Sequence, residues 1–523
     1  MKLHKSTIKW LKTNKLYNKW VSKKEIRNFF SENICYEGLS LWWISRIVAK
    51  DNVIENDWYI RINKILYGEK SNHKYNWVIF FLKLCKNFSK NLINLSFFKI
   101  IFFYNSKFEF KNFNYNNCFH SIDYNLQEFN RNEYIDRLYG KSTFTNTKEN
   151  FYLITATNKI LSFLKKKIRI NFYVSNSYLN YFDLLKIYFV SLFKLIKVIN
   201  FCNQNPQLFF INKKDCGSVL KPMIFDSFCG YIQDSLIQGI SIGNFLKKKN
   251  IKNFICYGEF NQGYRAVYYF VKNKNPSIKV ISVHHGYANE NLLFFNHHKE
   301  EFNLKNKEGK NCSPMPDKYL VQGSQYANIL KKYYPKKIVI IGCLKYDLLD
   351  FKKTKNRIKK NKICNIVIAP SIGDEKDILE YLKYFSSKEK NNLKKFKFYL
   401  SPHPVIKDKT IKFYKDNLPD LNLNTSHNNT FQKIKKCDLL ICGFSTVAYE
   451  AAIIGKPSIR LVNPSSPILF HIKDKIKKIF NFESFINEIK KNNHKLINRD
   501  NIIKYFYFKL DGNTHKRFWN SIN

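Results

Sequence analysis

Residues 437–462, CDLLICGFSTVAYEAAIIGKPSIRLV, read as a strand, a tight Gly-Phe-Ser-Thr turn, a short helix and a second strand. The apolar run Leu439–Cys442 stops at Gly443, Ser445 stands where a helix cap belongs, and Gly455-Lys456-Pro457 ends the helix before the β-branched run resumes. A turn of this kind presents backbone amides and a positive helix end at Ser445–Val447 to an anion, and the hydroxyls of Ser445 and Thr446 add two donors. Glu450, about one turn further in, is placed to reach ribose hydroxyls. In the plainer alternative Ser445 only caps and Glu450 is a solvated helix residue. The neighbouring segments decide between the two readings.

Working outward, the same pattern repeats. After Lys362 come NIVIAPS (365–371), helix-like Asp374–Phe385 and KFYLSPHP (397–404); before it come NFICYGE (253–259), KVISVHHG (279–286), KYLVQG (318–323) and KIVIIG (337–342). Short continuous apolar runs, each ended by a polar or glycine turn and separated by helix-length segments, are the mark of parallel strands buried on both faces. Between the two series lies FKKTKNRIKKNK (351–362), with seven basic residues and no acid, read as a linker. The expected architecture is α/β, with two Rossmann-like domains: an acceptor domain at 201–350 and a donor domain at 363–485. A helical, aromatic-rich region (1–200) precedes them as part of the acceptor half, and a segment (486–523) packs back across both. Within the first region FDLLKIYFVSLFKLIKVI (182–199) suits an amphipathic helix on a core, with a basic face toward a membrane as the alternative.

The 523 residues carry a formal charge of +49, yet Lys, Asn, Ile, Phe and Tyr all have AT-rich codons, so charge alone says little about partners. No zinc-finger spacing, Arg-rich helix or RNA-recognition signature is present, which excludes specific nucleic-acid recognition; attraction to an anionic membrane surface fits better. The twelve cysteines form no Cys-x2-Cys pair and read as reduced core thiols, Cys85, Cys202 and Cys442 among them. The longest apolar stretch, 182–202, contains Lys186, Lys194 and Lys197, too many charges for a spanning helix. A cytoplasmic protein, peripheral at the inner membrane, is expected.

Polar residues cluster where the strands end, and in sheets of this type ligands bind there. His403, between Pro402 and Pro404, is aimed out of a strand end and suits a phosphate oxygen. His284-His285-Gly286 follows KVISV; one imidazole there can deprotonate an acceptor hydroxyl, and Gly286 admits a ligand close to the backbone. Glu259 and Gln262 follow a third strand; Glu259 can orient the base or hold acceptor hydroxyls, or simply sit at a helix start. His297-His298 as further metal ligands lack any supporting spacing. Asp374, Glu375, Asp377 and Glu380 read as a capping cluster, and no Asp-x-Asp pair is present, so neither metal nor cofactor is expected.

These residues resemble bacterial capsule and lipopolysaccharide biosynthesis proteins of the GT-B glycosyltransferase superfamily. The resemblance rests on LSLWWISRIVAKDN (39–52), YGEFNQGYRAVYYF (257–270), VISVHHGY (280–287), MPDKYLVQGSQYANIL (315–330) and IVIIGCLKYD (338–347). The C-terminal pair is similar, more broadly, to sialyl- and Kdo transferases and CDP-glycerol glycerophosphotransferases. That resemblance implies that His403, Ser445 and Thr446 hold the donor phosphate; Gly443 and Glu450, read from the residues, complete the donor side. It further implies His285 as base; read from the residues themselves, Glu259 is the other candidate base and Gln262 and His284 stand on the acceptor side, with packing as the alternative for one of the two histidines. Lys345 stands where the family pattern has Arg, and Tyr264 where it has Trp. The implied activity is metal-independent transfer of a sugar from a nucleotide-activated donor, a CMP-sugar slightly preferred, to a surface-polysaccharide or lipid-linked glycan acceptor. A CDP-polyol phosphotransferase, or a non-catalytic carbohydrate-assembly subunit, is the alternative.

Overall fold

Two wholly parallel sheets organise the chain, and both have the same strand order. In the first, β1 (Asn117–Ile122), β2 (Asn150–Thr155), β3 (Phe172–Val174), β4 (Asn253–Cys256), β5 (Lys279–Val283), β6 (Lys318–Val321) and β7 (Lys337–Ile340) lie in the order 3-2-1-4-5-6-7. In the second, β8 (Cys364–Ile368), β9 (Phe396–Leu400), β10 (Leu423–Asn424), β11 (Leu439–Cys442), β12 (Ser458–Leu461) and β13 (Lys477–Ile479) repeat the 3-2-1-4-5-6 order. That order defines a Rossmann-like sheet, with a switch point between its first and fourth strands. The computed structural model describes residues 5–522 except 52–55, 70–74, 106–114, 123–125, 131–132, 144–149, 156–171, 248, 259–260, 287, 335–336, 350, 352–362, 404–405, 426–429, 468, 472–473, 492–493 and 495. The expected basic linker thus lies, but for Phe351, outside the described residues.

Side chains on each strand alternate between two cores, as period-two geometry requires. From β1, β2 and β4, Cys118, Phe151, Leu153 and Phe254 fill one core, while Phe119, Tyr152, Ile154 and Ile255 fill the other. In the second sheet Ile366, Ile368, Leu439 and Ile441 face one way and Val367, Leu440 and Cys442 the other. Both faces are buried, so strands such as β4 and β11 read as near-continuous apolar runs.

Residues 1–200 are not only helical: β1, β2 and β3 belong to the first sheet, and β1 pairs with β4 across more than a hundred residues of sequence. Polar residues interrupt their apolar pattern, and each of these has a buried partner. Asn117 donates to Asn150 (3.0 Å) and accepts from Asn253 (2.9 Å), and His120 bonds the Tyr264 hydroxyl (2.8 Å) and Thr155 (2.9 Å).

Around this sheet wrap α1 (Lys5–Val21), α2 (Trp77–Asn105), α3 (Tyr181–Gln204) and α4 (Gln262–Lys274). Trp20, Trp42 and Trp43 are buried between the N-terminal segment and the sheet. A buried ionic network fastens them there. The Arg265 guanidinium from α4 lies 4.1 Å over the Trp43 ring and bonds the Trp43 carbonyl (2.9 Å) and His297 (3.3 Å). His297 meets Glu301 (3.2 Å), which accepts from Lys50 (2.6 Å). Burial alone would raise the Glu301 pKa, but the Lys50 charge and the His297 contact hold it at about 2. His297 is therefore a member of a structural ion network. Cys202 and Cys442 are buried as core thiols, whereas Cys85 is exposed on α2. α3 packs one side on the core as expected, and its outer side is apolar, unlike the basic face of the alternative reading.

In the C-terminal half α5 (Val447–Ile453) follows β11, and α6 (Thr514–Ile522) ends the chain. Asp347, just past β7, accepts from the amides of Thr514 (3.3 Å) and His515 (2.8 Å). Phe518, Trp519 and Ile522 of α6 enter the core formed by Phe119 and Tyr152, so the end of the chain returns to the first sheet. No helix among the described residues is long and apolar enough to cross a membrane.

Candidate functional site

At the switch point of the second sheet the loops after β8 and β11 meet. Gly443 lies so close to Asp374 that a β-carbon there would fall 2.2 Å from the carboxylate, which explains the glycine. The Asp374 side chain accepts from the amides of Ser371 (2.6 Å) and Phe444 (3.0 Å), tying one loop to the other. Its burial pushes its pKa up to about 8 against those two bonds. From the other side Arg460 of β12, fully buried, donates to the carbonyls of Gly443 (2.6 Å) and Ser445 (3.3 Å). Asp474 holds Arg460 at 3.0 Å and also takes Tyr449 (2.8 Å) and Lys478 (2.6 Å). The Gly-Phe-Ser-Thr loop is thus fixed through its backbone, with Ser445 and Thr446 half-buried at its tip.

Capping at this turn differs from expectation. α5 starts at Val447 after Thr446, whose side chain makes no cap bond, while Ser445 Oγ lies 3.5 Å from the Val447 amide. Glu450 is 8% exposed and accepts from the Tyr346 hydroxyl at 2.6 Å, with Lys345 Nζ at 3.8 Å. Both partners follow β7, so this carboxylate joins the two halves of the molecule.

His403 follows β9, its amide bonded to the Pro370 carbonyl (3.0 Å). Its side chain is half-buried, and burial, Arg137 and Lys345 together lower its pKa. Two cations of the first half therefore act on the strand-end histidine of the second. The halves also meet where Asn289 and Asn291 donate to the carbonyls of Leu469 (2.9 Å) and Phe470 (2.8 Å), and where Glu290 approaches His471 (3.4 Å).

On the first sheet the two adjacent histidines part company. His285 is half-buried, with its ring 5.4 Å from Tyr257 at the end of β4. His284 is 5% exposed and packs against the Tyr326 ring, tilted by 36° with centroids 3.7 Å apart, beside Phe295. Successive residues at a strand end point to opposite sides, and His284 takes the core side. Gln262 opens α4, half-buried, and Glu259 lies outside the described residues.

Arg460, Asp374 and Arg137 were not among the expected site residues. Arg460 had a signal: a charged residue inside SIRLV, a strand otherwise buried on both faces, needs a buried partner. Among the described residues no cluster of three or more His, Cys, Asp or Glu side chains could hold a metal ion.

The topology is that of a GT-B-type protein, two Rossmann-like sheets in tandem with the C-terminal helix crossing back to the first. Neither a protein-family model nor a curated protein sequence matches the chain. Among solved structures it is similar to UDP-GlcNAc 2-epimerase from Neisseria meningitidis bound to UDP-GlcNAc, at 12% identity and a TM-score of 0.40 over 78% of this chain and 99% of that one. It is also similar to the Methanocaldococcus jannaschii UDP-GlcNAc 2-epimerase in complex with UDP-GlcNAc and UDP (13%, TM-score 0.41, 78% and 99%). A third is the wall teichoic acid polymerase TagF with CDPG (11%, TM-score 0.38, 86% and 98%). At these scores no residue role transfers, and the fold stands on the strand order itself.

Proposed function

We propose that this chain is a GT-B-type glycosyltransferase that holds a nucleotide-activated sugar on the second sheet and an acceptor on the first. The observation that supports it is the fixed Gly443–Thr446 loop at a Rossmann switch point, with His403 at the same sheet edge and the charges of Arg137 and Lys345 acting on it from the other half. In this reading the acceptor hydroxyl oxygen bonds to the donor's anomeric carbon as the bond from that carbon to the phosphate oxygen breaks. The hydroxyl proton passes to His285, or to Glu259 as the alternative base, and the bonding electrons leave on the nucleoside phosphate. His403, Ser445 and Thr446 neutralise that developing charge. Gln262 contributes to the acceptor side. The donor is a nucleotide sugar, a CMP-sugar slightly preferred, the acceptor a surface-polysaccharide or lipid-linked glycan, and the work is done at the cytoplasmic face of the inner membrane.

Calorimetry with CMP, CDP, UDP, GDP and CDP-glycerol tests this. One nucleotide should bind, and Ser445→Ala/Thr446→Ala should weaken it. Tightest binding of CDP-glycerol would favour polyol-phosphate transfer instead, and binding of none would leave a non-catalytic assembly subunit.

A further inference from the structure

α3 is apolar on two opposite sides. Leu184, Ile187, Tyr188, Leu195 and Val198 face the core, as expected of a packed helix. On the other side Phe182 (73% exposed), Leu185 (56%), Phe189 (76%), Phe193 (52%) and Ile196 (58%) follow one another at steps of three and four, forming a single outward stripe. α2 lies antiparallel beside it: Asn87 and Asn91 both bond the Tyr188 hydroxyl at 3.0 Å, and Tyr181 reaches Ser96 at 3.1 Å. It extends the patch with Val78 (68%), Leu82 (66%) and Ile93 (67%). So much contiguous apolar surface marks an interaction site.

Charge identifies the occupant. Lys83, Lys86 and Lys90 are exposed along one flank of the α2 row and Lys197 on α3. α2 contains no carboxylate, and the single one on α3, Asp183, is engaged at the capping box of its own helix. We infer that this two-helix face docks on a bilayer rich in anionic phospholipid, lying in the interface with the phenylalanine stripe at the acyl boundary and the lysines among the headgroups. A second copy on the same face would set lysine rows against one another, an arrangement like charges oppose. The docking is independent of the transfer chemistry, so either can fail without the other.

Flotation of the purified chain with phosphatidylcholine vesicles, with and without phosphatidylglycerol, tests it. The chain should bind the anionic vesicles and lose binding in high salt. Phe189→Glu/Phe193→Glu should lower partitioning by about 100-fold, and each of Lys83→Gln and Lys86→Gln by about fivefold. All these residues are exposed, so melting temperature and nucleotide binding should stay unchanged. Absence of vesicle binding by the natural chain, or equal binding by the double variant, would overturn the proposal. So would a dimer in light scattering that this variant converts to monomer.

Discussion

The two sheets share one strand order, but their carboxyl edges are built from different chemistry. On the second sheet buried polar groups converge under the rim: the Asp374 carboxyl holds two loop amides, and the Arg460 guanidinium, backed by Asp474, holds two loop carbonyls. On the first sheet one buried carboxyl, Asp136, also accepts from two loop amides, those of Leu138 (2.7 Å) and Tyr139 (3.4 Å), but the larger buried ion network, Lys50, Glu301 and Arg265, fastens the N-terminal segment and not a rim loop. The rim itself is aromatic, with His285 beside Tyr257 and His120 on Tyr264. A fixed, donor-rich loop suits a phosphate, whose charge rewards preorganised dipoles; an aromatic edge suits a neutral imidazole that must accept a proton. One topology thus supports two halves of a transfer reaction by placing its buried charges differently.

Breaking one buried pair in each half is the strongest test of that difference. Arg460→Met leaves two buried loop carbonyls unbonded and Asp474 with Lys478 as its one cation, and Glu301→Gln strands the buried Lys50 charge; each should lower unfolding free energy in urea by about 3–5 kcal/mol. Only Arg460→Met should also weaken nucleotide binding in the folded protein; if both variants or neither do so, the division of labour fails. The Glu301 contribution has a pH signature. With its folded pKa held at about 2, below the ordinary glutamate value, it stabilises above roughly pH 4.5 and is lost as pH falls towards about 2. The Gln variant should lack that acid step.

His285→Ala should lower turnover by about 10²–10⁴-fold and remove the low-pH limb of the rate profile, with nucleotide affinity intact. His284→Ala should instead lower melting temperature through its lost packing against Tyr326, leaving turnover of the folded fraction near normal. The reverse pattern would exchange the two roles, and a loss seen only with Glu259→Ala would make the carboxylate the base.

A smaller effect is expected at the loop itself. Gly443→Ala sets a β-carbon against Asp374, and relieving the overlap should cost about 1–3 kcal/mol of stability. Nucleotide affinity should fall as well, because the displaced Asp374 anchors the Phe444 amide. Unchanged affinity would mean that the loop backbone does not touch the nucleotide.

How much of this was legible beforehand follows from where polar residues fall. β11 runs apolar to Gly443, β5 is apolar from Val280, but for Ser282, up to His284, and β8 is apolar from Ile366 to Ala369 before a Pro-Ser turn, so strand, turn and candidate site were visible together. β1 was not, because Asn117, His120 and Ser121 interrupt its run and its partner β4 is distant in sequence. Asp374 looked like one member of a solvated acidic cluster, and nothing local marks it as the residue that reaches Phe444 across the sheet edge. In a chain where lysine fills so many solvated positions, single buried charges are hard to tell from surface ones. The outward stripe of α3 had the opposite problem: its apolar residues were visible, but periodicity alone assigned them to a core.

The finest comparison concerns His403, the histidine whose protonation the first half opposes. Burial and the charges of Arg137 and Lys345 depress its pKa, so in the empty cleft it is neutral below its ordinary range. A bound phosphate supplies the opposite charge and raises the pKa again, so binding takes up a proton. Nucleotide affinity should therefore rise as pH falls from the bound-state pKa to the free-state one, by at most about tenfold per pH unit, and be flat outside that window. The phosphate's own protonation near pH 6 works against this trend, but it is common to all variants. The difference between the natural chain and His403→Gln isolates the histidine. Calorimetry in buffers of different ionisation enthalpy should show proton uptake in the natural chain and a smaller uptake in the variant. Equal uptake in both would place the phosphate away from His403 and leave the donor side to the Gly443–Thr446 loop alone.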